Sequence, residues 1–304
     1  MPALFDAYII VDWSAAAKPV TGANSIWIGV CTRRADAQPD FRSFNPATRL
    51  AARAQILGIA QSLIAEGKKL LIGFDFAMGY PSGTAELLGL DCGQSAPWRA
   101  MYDFLSDAIS ETPDNANARF ALAAKMNARM TGTAHPFWGV PTRQSGETLA
   151  PRKGDFSALD SIAEHRRAEA WIRRSFKAHP KSVWQLLGAG AVGSQSLLGI
   201  PTVAFLRDEI AGAQIWPFET GLRPLTVTAL KHTSCVLAEI YPSTVSATPV
   251  SSETRDESQV TTLSERFESL DSAGKLAEAF GAPDSITGSE IHKITAEEGW
   301  ILAK

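Results

Sequence analysis

The chain has few cysteines and no long apolar run. Cys31, Cys92 and Cys235 are the only three in 304 residues. They are odd in number, far apart and form no CxxC, which argues against a disulfide framework or a structural zinc site. Cys31 and Cys235 sit in apolar strand-like runs, as small buried hydrophobes do. No stretch has the length needed to span a bilayer. The start, MPALFDAYIIVDW, has no basic flank and carries Asp6 and Asp12, so no secretory leader is expected. These absences together suggest a soluble protein of a reducing cytoplasm, with no membrane partner. A net positive charge is also missing: the formal value is −3, so no global basic field draws the protein to nucleic acid. One local basic stretch exists, with Arg166, Arg167, Arg173, Arg174, Lys177 and Lys181. The five histidines, His135, His165, His179, His232 and His292, show no metal-ligand spacing. A GxSxG elbow and a Walker A loop are absent as well.

What is present is enough apolar content, 45%, to bury a large core. Tyr8 to Asp12 is an apolar, β-branched run that reads as a central strand buried on both faces. Ser25 to Thr32 (SIWIGVCT) reads as its hairpin partner after a long loop, and Phe41 to Phe44 as a short third strand. Pro46 opens an alanine-rich helix to about Glu66, ended by Gly67. Lys69 to Phe76 (KLLIGFDF) is a further apolar strand. Three strands, a helix and a strand depart from strict βαβ alternation and point to a mixed sheet. Residues from about 79 to 180 hold short helical pieces broken by proline and glycine, as expected for a helical insertion or lid within one domain spanning 1–304. Ala213 to Phe218 and Val236 to Tyr241 are strand-like. Leu263 to Phe280 reads as a helix, with Asp271 at the head of its small-residue segment.

Gly188-Ala-Gly190-Ala-Val-Gly193 matches GxGxxG, with Asp208 twenty residues after Gly188. This is a dinucleotide fingerprint on paper. Gly199-Ile-Pro201 argues against it, because proline should break the helix that must follow. The alternative is a small-residue turn that lets backbones pack closely.

Asp12 and Asp75 are the more informative residues, each closing an apolar strand. Ligand sites of open α/β sheets lie at such strand ends. Two carboxylates on adjacent strands repel unless a cation lies between them, and magnesium favours a few carboxylates plus water and phosphate oxygens. The competing reading is that each aspartate caps a neighbouring turn. Glu239, before Pro242, and Asp271 extend the set, with Glu219 a weaker candidate. Arg166 and Glu169, at i,i+3, suggest a surface ion pair, or Arg166 turned toward a phosphate. Trp13 could stack on a base.

These segments together resemble a family of predicted nucleases with an RNase H-like fold. The resemblance rests on YIIVDWSA, SIWIGV, GFDFAMGYP, HPFWG, QLLGAGAVGSQSLLGIP, IWPFE, AEIYPS, LDSAGKLAEAFG and EEGWILA. It implies an RNase H-like mixed sheet flanked by helices. It also implies metal-dependent phosphodiester hydrolysis of nucleic acid or nucleotide with Mg²⁺ or Mn²⁺. Asp12, Asp75 and Asp271 would hold the metal, and Glu239 would hold a second ion or orient water. The sequence departs from well-studied RNase H nucleases in having Asp75 where a glutamate is common and no acid three residues after Asp271. Three other functions compete: phosphotransfer of the actin-like or sugar kinase type, with Asp12, Ser14 and Lys18 cradling phosphate; NAD(P) binding through Gly188, Gly190 and Gly193; and a non-catalytic binding module.

Overall fold

The computed structural model describes residues 2–34, 38–158, 162–176, 178–242 and 254–302; Lys177 of the basic stretch lies outside them. The chain forms a mixed seven-stranded sheet flanked by helices. β1 (Ala7–Asp12), β2 (Trp27–Thr32) and β3 (Asp40–Phe44) form an antiparallel meander. α1 (Arg49–Ala65) crosses over to β4 (Leu70–Phe74), which pairs parallel with β1. β6 (Cys235–Ile240) lies parallel on the far side of β4. β5 (Ala213–Ile215) and β7 (Ile301–Leu302) share the outer edge of β6, one at each end. The strand order is β3-β2-β1-β4-β6-β5.

The apolar runs of β1, β4 and β6 are buried on both faces, as parallel strands covered by helices must be. Alternation divides β1 between two cores. Ile9 and Val11 pack toward α1, with α3 (Pro97–Ala108) and α6 (Val192–Glu209) on that face. Tyr8 and Ile10 pack toward α7 (Arg255–Ser272) and α8 (Leu276–Ala279) on the other. α1 starts at Arg49, three residues after the expected opening at Pro46, with the Thr48 side chain accepting the Ala51 N–H. Gly67 follows with φ +80, a conformation glycine adopts without a Cβ penalty.

Between β4 and α6 lie α2 (Thr84–Leu87), α3, α4 (Arg119–Met130) and α5 (Arg167–Phe176). Met101, Leu105, Leu122 and Met126 of this stretch share one core with β1 and β4. The chain ends with α9 (Gly288–Lys293), a π-turn over Ile294–Glu298 and β7. Among the described residues, no helix is long and apolar enough to cross a membrane.

Three elements differ from expectation. The strand at Ala213 stops at Ile215, and a cis Trp216–Pro217 bond follows. The late helix begins at Arg255, eight residues early, and breaks after Ser272, with Gly274 at φ +66. Asp271 therefore lies in the last turn of α7 and does not open a helix. α6 continues through Pro201 for 18 residues. An interior proline costs about 3 kcal/mol. Leu197, Leu198, Ile200, Val203 and Leu206 are all buried along α6, and each such side chain contributes about 1.5–3 kcal/mol. Burial outweighs the missing hydrogen bond.

Candidate functional site

β1 and β4 run parallel with Val11 opposite Phe74, so Asp12 and Asp75 leave the sheet side by side. The Asp75 N–H donates to the Val11 carbonyl at 3.3 Å, and the Trp13 N–H donates to Asp75 Oδ1 at 2.7 Å. The two carboxyl groups hydrogen-bond each other. Burial, then the adjacent Asp75, holds Asp12 well above the usual carboxylate range. Burial pushes Asp75 up to about 6 against the opposing pull of the Trp13 N–H and the bond to Asp12. Two adjacent carboxyls cannot both ionise cheaply, so without a cation each resists losing its proton.

Asp12 opens onto a cavity of about 360 Å³, whose walls include Trp13, Ser14, Asn24, Gln195 and Asp256. Asp256 is a residue that sequence reasoning missed. It lies in the first turn of α7, where an acid is favoured by the helix dipole, and it raises the pKa of both Asp12 and Asp75. Its Oδ2 accepts the Asn24 N–H at 2.6 Å, tying α7 to the β1–β2 loop. A signal for it existed: Thr254-Arg-Asp-Glu257 has the T-x-x-E form of a capping box, and the Thr254 hydroxyl accepts the Glu257 N–H. Arg49 was also missed. It is 1% exposed and donates to the carbonyls of Ser14 (3.0 Å) and Ala16 (2.7 Å), fixing the cavity wall. Its own charge is met by Glu111.

The other expected site residues lie elsewhere. Asp271 is 1% exposed and binds the other end of β1. It accepts N–H bonds from Leu4 and Phe5 at 2.9 Å and the Tyr8 hydroxyl at 2.6 Å. At about 3.3 Å per residue along β1, this is roughly 20 Å from Asp12, so Asp271 cannot share an ion with it. Glu239 is at the right end of the sheet but is locked. It accepts the Met78 N–H at 2.9 Å and two Arg166 bonds at 2.7 and 2.6 Å, and it does not line the cavity.

The expected surface pair of Arg166 and Glu169 is instead buried, at 1% and 3% exposure. Arg166 also donates to the Glu298 carbonyl. Its guanidinium thus joins α5, β6 and the C-terminal π-turn and is not free for a phosphate. Glu219 pairs with Arg207 at 2.6 Å. Lys18 is exposed and away from the cavity lining. Trp13 is 1% exposed and packs against Phe74 and Phe76, so it is a core residue with no face for a base.

The glycine segment is not fed by a sheet strand. Among the described residues, 182–187 pair through an isolated bridge, Gln185 to Trp138, whereas a dinucleotide loop joins a sheet strand to its helix. Asp208 is bound at the surface by Arg99 and Arg207. The expectation of close backbone packing fits Gly193, where a Cβ would lie 2.4 Å from the Val183 carbonyl oxygen.

Among the described residues, no group of three or more His, Cys, Asp or Glu side chains is arranged to hold a metal ion. Magnesium-type ions, however, are often held by one or two carboxylates, with water and substrate phosphate completing the shell. The Asp12–Asp75 pair fits a site of that smaller kind: two adjacent hard oxygen donors whose proton a dication would displace. In comparisons with protein-family models, curated proteins and solved structures, nothing matches this chain.

Proposed function

We propose that the protein is a phosphoester hydrolase of RNase H-like type, acting on nucleic acid or nucleotide, with Mg²⁺ or Mn²⁺ held by Asp12 and Asp75. The observation that carries this reading is the pair of adjacent carboxyls at neighbouring strand ends, of which Asp12 opens onto a cavity. An antiparallel meander followed by a parallel fourth strand beside β1 supports the RNase H-like assignment. So does a third acid, Asp256, brought in by a late helix in place of Asp271.

A bound dication would neutralise charge on phosphate oxygens and lower the pKa of a coordinated water. The chain's own groups do the rest. The Trp13 N–H fixes the direction of the Asp75 carboxylate. Asp12, on the cavity wall, is placed to bind the cation and to take up a proton from an attacking water. Asp256 and Arg49 hold the loop from Ser14 to Asn24 as the opposite wall.

The test is hydrolysis of bis(p-nitrophenyl) phosphate, mononucleotides, single-stranded DNA and RNA in Mn²⁺ and in EDTA, for wild type and Asp12→Asn. The reading expects turnover only with Mn²⁺ and at least a hundredfold loss in the variant. Equal turnover by both proteins would sink it. The hydrogen bond between the two carboxyls favours a second reading, a proton-sharing acid–base dyad that needs no metal. Turnover that survives EDTA and is lost in Asp12→Asn would select it.

A further inference from the structure

The glycine motif and α6 border the cavity through Gly190, Ala191 and Gln195, and one of these residues also reaches the backbone that orients Asp75. The Gln195 Nε2 donates to the Trp13 carbonyl at 2.6 Å. Trp13 is the residue whose N–H orients Asp75 at 2.7 Å. One short backbone segment is therefore clamped from both sides, by an amide from α6 and by a carboxylate from the end of β4. Gln195 also lines the cavity that Asp12 faces.

The glycines set the reach of this clamp. At Gly193 a Cβ would lie 2.4 Å from the Val183 oxygen and 2.8 Å from the Gln185 oxygen. At Gly199 it would lie 2.3 Å from the Phe76 ring. Both glycines let α6 lie closer to its neighbours than any side chain would allow. Phe76 follows Asp75 directly and packs on Trp13, so the same close approach bears on both ends of the clamp.

We propose that Gln195 is a positioning residue of the carboxylate site, holding the Trp13 backbone so that its N–H orients Asp75. This rests on the reading of Asp12 and Asp75 given above. Partners that orient metal-binding groups typically contribute 10–100-fold to metal affinity.

The test uses three variants of the full chain. Gln195→Met keeps length and removes the donor. Gln195→His restores a neutral N–H at similar reach. Ile200→Val perturbs a fully buried position on the same helix without touching Trp13. The first readout, taken in EDTA, is hydrogen exchange of the Trp13 amide. Exchange should be at least tenfold faster in Gln195→Met than in wild type and within about threefold of wild type in the other two. The second is the Mn²⁺ dissociation constant from electron paramagnetic resonance, which should rise about tenfold or more in Gln195→Met alone. Unchanged Trp13 exchange in Gln195→Met overturns the proposal, as does an equal effect in all three variants. Because the exchange readout needs no metal, a protein that binds no Mn²⁺ would contradict the metal reading and leave the role of Gln195 to be decided by exchange.

Discussion

Removing one charge from the aspartate pair should stabilise the metal-free protein and flatten its pH dependence. Asp75 is raised from an ordinary 3.8 to about 6, chiefly by burial, and Asp12 is raised in the same direction. A carboxyl with a raised folded-state pKa binds more protons folded than unfolded between those two values. Stability is then highest below pH 4 for this group and is lost as pH rises toward and through 6. For Asp75 the rise corresponds to about 3 kcal/mol. Asp75→Asn removes that loss without removing the geometry: the Asn Oδ1 can accept the Trp13 N–H and the Nδ2 can donate to Asp12. At pH 7 in EDTA the variant should be more stable by about 1–3 kcal/mol, a shift of roughly 2–6 °C for a chain of this size. At pH 4 the two proteins should converge. Millimolar Mg²⁺ or Mn²⁺ should favour the ionised pair and raise the melting temperature of wild type alone by mass action. The assay is urea or thermal unfolding of both proteins from pH 4 to 8. A variant less stable than wild type in EDTA at pH 7, with a parallel pH profile, would refute the reasoning and make Asp75 a turn-capping residue.

Three further outcomes follow from particular contacts. Arg166→Met leaves Glu169 and Glu239 buried without their cation and should cost about 3–5 kcal/mol in chemical denaturation; a loss under 1 kcal/mol would contradict the network. Asp271→Asn should destabilise by about 1–3 kcal/mol through weakened bonds to Leu4, Phe5 and Tyr8, while Mn²⁺ affinity measured by calorimetry stays at the wild-type value. Gly199→Ala drives a methyl into the Phe76 ring and should cost about 1–3 kcal/mol; Phe76→Leu in the same chain should recover part of it, and strict additivity in that double-mutant cycle would rule out the contact.

The sheet was legible because its central strands are continuous apolar runs closed by a charge. YIIVD and LLIGFD announce both their burial and the position of their aspartates. The helix through Pro201 was not legible, because local propensity favours a break and only the burial of Leu197, Ile200 and Val203 overrides it. Asp271 was misleading for a related reason. An acid among small residues reads as a site, whereas here it satisfies the N–H groups that lead into β1. Glu239 was correctly placed at the strand end, but its partner Arg166 comes from 73 residues away, a pairing no spacing reveals. Asp256 belongs to the site only through the packing of α7 beside β1 and β2, although its TRDE context carries the mark of a helix start.

The central claim is that Asp12 and Asp75 together bind a divalent cation. Titration of the EDTA-treated, desalted protein with Mn²⁺ at pH 7, followed by electron paramagnetic resonance, tests it most directly when wild type, Asp12→Asn and Asp271→Asn are compared. Saturable binding in wild type and Asp271→Asn, weakened at least tenfold in Asp12→Asn, is the expected result. Absence of binding in wild type, or equal binding in all three proteins, would contradict it.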